Sequence, residues 1–273
     1  MGSPEGEEIP RGIGLLELKP KIIGNEKGRD LDELEHMVTL GGFWLGKHEV
    51  TQGQWERLMG TSPSIFQGNN RPVEKVSWHD AVSFCKKVTQ QESWLTTLPE
   101  GWSYQLPTEA QWEYACRCRR DDLPSGFPSQ PFSFGTSLMK PMAGSLRQTP
   151  VPGAFGKLKA NFNGKQPYGT VLQGPYLERT MDVGSYSGNR FGFHDMHGNV
   201  REWCQDWYGS YPKEKTINPG GPVEGPFRVV RGGSWNDSAV DVRSARRFKF
   251  KPDVIESTIG FRVSLRPHAG KSE

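Results

Sequence analysis

The chain has 273 residues, a hydrophobic content of 34 %, a mean hydropathy of −0.66 and a net charge of +3. That charge is too small to demand a polyanionic partner, and no run of about 18 apolar residues is present to span a membrane. Gly and Pro, 33 and 21 in number, interrupt the backbone often, whereas 9 Trp and 14 Phe argue against disorder. The balance predicts a folded domain with much irregular backbone and a core filled by large rings.

The first residues, MGSPEGEEIPRG, lack the apolar core of a signal peptide, so a cytoplasmic location is the default expectation. In TQGQWERLMG, Thr51 and Gln54 have capping-box spacing. Trp55, Leu58 and Met59 form one apolar face, and Gly60 stands where a helix would stop. In SWHDAVSFCKKVTQ, Ser77 is the expected cap and Asp80 suits the positive helix end, with Ala81, Cys85 and Val88 along one side. PTEAQWEYACR carries another capping box, Thr108 and Gln111, with Trp112, Ala115 and Cys116 facing inward.

Residues 120–159 carry many Pro, Gly and Ser and no apolar period, which predicts a long surface excursion. From Asn161 onward only short segments remain. FRVVRGG and GFRVSL read as brief strands. In RRFKFK, extended alternation places Phe248 and Phe250 on one side and Arg247, Lys249 and Lys251 on the other. No linker separates two cores, so a single domain is expected.

Four cysteines, Cys85, Cys116, Cys118 and Cys204, do not make a disulfide framework in a chain of this length. Cys116 and Cys118 point roughly 200° apart on a helix and cannot bridge each other. Each cysteine reads as a small buried residue.

Six blocks in order, FWLGKHEVTQGQW, RPVEKVSWHDAVSFC, YQLPTEAQWEYACR, GFHDMHGNVREW, RVVRGGSW and GFRV, resemble the formylglycine-generating enzyme family, also called the sulfatase-modifying-factor domain. The resemblance runs from about Gly42 to Val263. It implies an α+β single domain with little regular secondary structure, related to C-type lectin-like folds. The expected division is an N-terminal segment 1–41 packing onto the domain, the domain 42–263 with its insertion at 120–159, and a tail 264–273.

Enzymes of this family oxidise a sulfatase cysteine to formylglycine with oxygen and a copper ion held by two cysteines shortly after the GGS-aromatic motif. Here that motif is Gly232, Gly233, Ser234 and Trp235, and no cysteine follows Cys204. Soft Cu(I) requires sulfur ligands, whereas Asp237 and Asp241 are hard oxygen donors. The resemblance therefore implies a member without copper and without the oxidase activity. A sulfoxide-forming branch of the family adds a histidine-rich helical domain, for which this chain has no room. His194 and His197 form an H-x-x-H expected to face solvent rather than to ligate.

A hard cation such as calcium takes oxygen ligands, partly from carbonyls bent around glycine. The family's calcium positions match Asp195, Gly198, Val200 and Glu202 without gaps. Its other site matches Asn161 and Phe162, although the acidic partner expected downstream has no counterpart in GPYLERT. Either ion would be structural.

Without copper chemistry, the segment after GGSW is expected to present a ligand-binding surface from Trp235, Asn236, Asp237, Ser238, Val240, Asp241, Val242, Arg247 and Phe248. The expected ligand is a protein or peptide. The basic run Arg243, Arg246, Arg247, Lys249 and Lys251 also reads as a rim for an anion, while nucleic acid is not the expected partner. Retroelement-diversified display proteins share this fold and vary in this place through asparagine codons mutated at adenine. Residues reachable that way, among them Asn236, Asp237, Ser238, Val240 and Ile255, alternate here with apparent scaffold such as Ala239 and Ala245. An enzyme of different chemistry, using Asp237 and Asp241, is the third reading.

Overall fold

A computed structural model of the chain describes residues 15–18, 22–23, 37–94, 98–118, 130–135, 137–140, 157–212 and 214–267. In chain order these form β1 (Leu15–Leu18), β2 (Ile22–Ile23), β3 (Val38–Thr39), β4 (Phe43–Gly46), α1 (Gln52–Met59), α2 (Trp78–Trp94), β5 (Trp102–Gln105) and α3 (Glu109–Arg117). There follow β6 (Met139–Lys140), β7 (Lys157–Leu158), β8 (Arg201–Trp207), β9 (Thr216–Ile217), β10 (Arg228–Arg231), β11 (Phe248–Phe250), β12 (Ile259–Gly260) and β13 (Ser264–Pro267). Helices are few and strands short, as expected of an α+β chain rich in turn residues.

All three helices start where the sequence places their caps. Thr51 Oγ1 accepts from Gln54 N while Gln54 Oε1 accepts from Thr51 N, and Thr108 and Gln111 repeat the exchange. Each box satisfies two of the amide groups that a helix leaves unbonded at its start. At α2, Asp80 plays the returning role by accepting from Ser77 N (3.0 Å) and Ser77 Oγ (2.5 Å). Gly60 ends α1 in the left-handed region (φ 72°), and α2 extends four residues beyond the Gln90 expected from its pattern.

One four-stranded sheet has the order β1-β4-β13-β5 and another β11-β10-β8-β12, with a three-stranded sheet β2-β3-β9 and the pair β6-β7 beside them. GFRVSL is not one strand. β12 runs parallel to β8, whereas β13 lies antiparallel between β4 and β5 in the other sheet, so the chain changes sheets across Phe261–Val263. This corrects the boundary of the tail: Ser264–Pro267 are a central strand, and the domain reaches at least Pro267. β1 pairs with β4 from Leu15↔Gly46 to Leu18↔Phe43, which ties part of the N-terminal segment to the domain.

Three apolar clusters hold these layers. Trp55 stacks on Phe84 at 5.6 Å, and Phe261 meets both edge-on, joining α1 and α2 to the strand crossover. Trp112, Phe43, Phe193, Cys204 and Val229 pack α3 against both large sheets. Phe132, Leu138, Leu158, Phe162, Ala239 and Val242 form the third. This third cluster corrects the reading of 120–159 as a surface excursion, because Phe132 and Leu138 are core residues. The stretches 119–129 and 141–156 lie outside the described residues.

Candidate functional site

The GFHDMHGNVREW loop enters β8 through two left-handed residues, Asp195 (φ 57°) and Asn199 (φ 63°), flanking Gly198 (φ 91°). Only glycine fits at 198, since a Cβ there would lie 2.1 Å from the Asn161 carbonyl oxygen. That oxygen accepts from Asn199 N (2.8 Å), and Asn161 Nδ2 donates to Asn199 Oδ1 (3.1 Å). The two stretches expected to hold calcium are thus brought into contact. Phe162 contributes its side chain to the core, and Asn161 Oδ1 is buried without a hydrogen-bond partner.

Glu202 differs from an open ligand. Its carboxylate receives Arg262 Nε (2.6 Å) and Nη2 (2.7 Å) as well as Trp112 Nε1 (2.9 Å), and both members of the ion pair are fully buried. The guanidinium is outnumbered, however. Glu49, which sequence reasoning missed, accepts from Asn199 Nδ2 (2.7 Å) and Val200 N (3.2 Å). Burial first, and then the Asp195 and Glu202 carboxylates, push Glu49 well above the carboxylate range. Burial also raises Asp195 to about 6, against the opposing hydrogen bond from Gly184 N. Three carboxylates facing one Arg262, beside an orphaned amide oxygen, fit a hard cation in charge and donor type. Among the described residues no three acidic, histidine or cysteine side chains stand in ligating geometry. A cation here would rest on Asp195, a shared Glu202 and the carbonyls of Gly198 and Val200.

The segment after Gly233 is a chain of tight turns pinned from below. Asp237 Oδ2 accepts from Ser234 N and Ser234 Oγ (both 2.8 Å), and its Oδ1 pairs with Arg201 at 2.5 Å. Asp241 accepts from Ser238 Oγ (2.6 Å) and faces Arg246 (3.3 Å). Both acids are therefore engaged in holding the loop. Trp235 is half-buried between Tyr176, stacked at 6.4 Å, and Phe66, edge-on at 5.4 Å, and its Nε1 donates to Ser257 O. Asn236 is exposed beside the Tyr176 hydroxyl, and Ser238 is half-buried. Exposed aliphatics lie next in sequence to these contacts: Val240, Ile65 beside Phe66, and Ile255 near Ser257. Phe66 and Tyr176 come from distant parts of the chain, and no local pattern marks them.

Three expected surface residues are placed elsewhere. Val242 is 0 % exposed in the third apolar cluster. Arg247 is 5 % exposed and donates through Nε and Nη2 to Glu109 and through Nη1 to Gly209 O. Phe248 is half-buried, packed on the core with Arg201 and Arg246 over its ring. Arg243 is buried as well and the half-buried Arg246 faces Asp241, so the exposed part of the expected basic rim reduces to Lys249 and Lys251. His197, expected to face solvent, is buried. Its Nε2 accepts from Ser133 N (3.0 Å), its Nδ1 lies 2.8 Å from Val242 O, and burial lowers it to about 4.

All four cysteines are buried and unbridged. Burial pushes every one of their thiols up, Cys116 to about 12, so the thiol form prevails near neutral pH.

Residues 20–266 match the family model described as a sulfatase-modifying factor enzyme 1-like domain. The chain belongs to this family. Within it, the chain is 32 % identical over 255 residues to the chaperone protein LppX of Paenibacillus barcinonensis, covering 83 % of this chain and 81 % of that one. It is 30 % identical to the formylglycine-generating enzyme of Mus musculus over 85 % of its own length and 53 % of that enzyme's, so it spans about half of that relative. The fold is that of Treponema denticola variable protein 1 (TM-score 0.71, 24 % identity, 93 % and 95 % coverage) and of PvdO from Pseudomonas aeruginosa (0.68, 23 %, 92 % and 94 %). The sulfatase-modifying-factor domain thus includes proteins named as enzymes and one named as a chaperone. No helix among the described residues of this member is long and apolar enough to cross a membrane.

Proposed function

We propose that this chain is a non-catalytic, calcium-stabilised binding module that presents the surface around Trp235 to a protein or peptide. The observation that carries this reading is the composition of that surface. The acids and most basic groups of the segment are joined to one another or to the core, no cysteine stands there among the described residues, and the half-buried Trp235, Phe66 and Tyr176 lie beside the exposed Ile65, Val240 and Ile255. Half-buried aromatics beside exposed aliphatics favour association through desolvation of ring faces. The burial of all four cysteines, with Cys85 in a different apolar cluster from Cys116 and Cys204, speaks against a relocated two-cysteine copper site. Structural calcium is supported by the buried carboxylates of Glu49 and Asp195, which Arg262, already paired with Glu202, leaves without a full countercharge, and by the orphaned Asn161 Oδ1.

Selection of a displayed peptide library on the purified chain tests the binding role. Peptides that lose affinity for Trp235→Ala are expected, whereas enrichment of peptides indifferent to that substitution overturns it. Incubation with copper, oxygen and a cysteine-containing sulfatase peptide is expected to produce no aldehyde, and stoichiometric aldehyde would end the non-catalytic assignment.

A second reading, a hypervariable display protein, is favoured by the exposure of Asn236 and Val240 among asparagine-codon-reachable positions and by the fold shared with Treponema denticola variable protein 1. The buried Val242 weighs against it. An asparagine-rich near-copy of this segment beside the gene decides between them.

A further inference from the structure

Away from the Trp235 surface, α2 and β5 enclose a cleft of about 410 Å³, within the size range of small-molecule sites. Val82 gives it apolar surface over the buried Cys85, Tyr104 and Leu106, and Lys86, Thr89, Gln90, Ser103, Gln105 and Gln205 supply its polar groups. It shares no residue with the proposed binding face or the calcium loop.

The hydrogen bonds at this cleft decide what kind of occupant suits it. β5 is an edge strand, and an added peptide strand would pair along its outer side. Its two outward amides are already taken, Trp102 N by Pro99 O (3.1 Å) and Tyr104 N by Thr89 Oγ1 (2.8 Å). An extended peptide therefore finds no donors with which to continue the ladder. Gln105 is committed too, its Oε1 accepting from Arg266 Nε and Nη2 and its Nε2 donating to Ser103 Oγ. The side chains of Lys86, Gln90 and Gln205 carry no hydrogen bond or ion pair among the described residues, and they stand around the apolar lining. Among the described residues no carboxylate lines the cleft, and Lys86 is its one basic residue.

We propose that this cleft is a second ligand site, for a small molecule with an apolar or aromatic body and a carboxylate. The body lies on Val82 and the accessible edge of Tyr104, and the carboxylate accepts from Lys86 with the amides of Gln90 or Gln205 beside it. A cationic ligand meets Lys86 with no acid in the lining to offset the repulsion, which sets the selectivity.

The test is saturation-transfer NMR with 4-phenylbutyrate and, in parallel, 4-phenylbutylamine. The carboxylate is expected to bind and the amine not. Lys86→Glu should weaken 4-phenylbutyrate about tenfold, the loss of one charge-assisted contact, and Val82→Trp should abolish binding by filling the cleft. Lys86 is exposed, so its variant folds even where the larger side chain at 82 disturbs α2. Absence of transfer from 4-phenylbutyrate, equal binding of the amine, or undiminished affinity in Lys86→Glu overturns the proposal. Because Trp235 takes no part, Trp235→Ala should leave 4-phenylbutyrate binding unchanged, and a loss in that variant overturns the assignment to the α2–β5 cleft.

Discussion

Arg247 clasps Glu109 through two parallel hydrogen bonds, Nε to Oε1 at 2.7 Å and Nη2 to Oε2 at 2.8 Å, with both side chains out of solvent. Tyr211 Oη donates to the same Oε1 (2.9 Å), and Arg231 lies 3.4 Å from it. The guanidinium thereby joins β11 to the first turn of α3. Removing one member of a buried pair leaves the other charge without compensation, typically at a cost of about 3–5 kcal/mol. Arg247→Met is accordingly expected to lower stability to urea by about 3 kcal/mol. Lys249→Met on the exposed side should change it by no more than about 0.5 kcal/mol. A loss below about 1 kcal/mol for Arg247→Met would show that Arg231 neutralises Glu109 alone.

Asp206 reports on the same helix start. Its Oδ2 accepts from Glu109 N (2.8 Å), yet burial first and the Glu109 carboxylate second raise it to about 7. Unfolded, the group titrates near its ordinary value of about 4. Between about pH 4 and pH 7 the folded chain thus holds a proton that the unfolded chain has released, and this group's contribution to stability declines as pH rises through that window. Asp206→Asn keeps an acceptor for Glu109 N. It should equal the parent at pH 4 and exceed it at pH 8, by about 1–3 kcal/mol. Urea titrations at the two pH values check this, and an equal difference at both contradicts it.

Gly198→Ala tests how tightly the loop is built. The new methyl would overlap the Asn161 carbonyl in a backbone conformation that disfavours any Cβ, so more than about 3 kcal/mol of stability should be lost. Gly60→Ala shares the positive φ but has open space around its Cβ, and its cost should stay near about 1 kcal/mol. Thermal denaturation of the two variants separates overlap from backbone strain.

At the proposed site, calcium added at a hundred times its dissociation constant is expected to stabilise by about 2.7 kcal/mol, which for a chain of this size would raise Tm by roughly 5–10 °C. EDTA should reverse the rise. Asn161→Ala should reduce the calcium-dependent increment. A Tm identical in calcium and EDTA removes the metal from the proposed function.

What was legible in the sequence was local or carried by ordered motifs. Thr51 with Gln54 and Thr108 with Gln111 meet across three residues, so their spacing alone predicts the hydrogen bonds. Gly198 announces a conformation that other residues resist. The six family blocks identify the fold even though much of the backbone between them is irregular. The proposed binding face was only partly legible: Trp235, Asn236 and Val240 are at the surface, but Phe66 and Tyr176 reach Trp235 across more than fifty residues of chain.

By itself, then, the sequence determined the helix starts, the turns that require glycine, the family and the lack of sulfur after Cys204. Tertiary structure alone decided which charges remain available. Arg247 and Glu109 are 138 residues apart and Arg262 and Glu202 are 60 apart, and nothing local to either member signals its partner. An arginine in a basic run reads as solvent-facing until another element brings a carboxylate within 3 Å. In a low-dielectric interior such a pairing converts a candidate anion site into an internal strut.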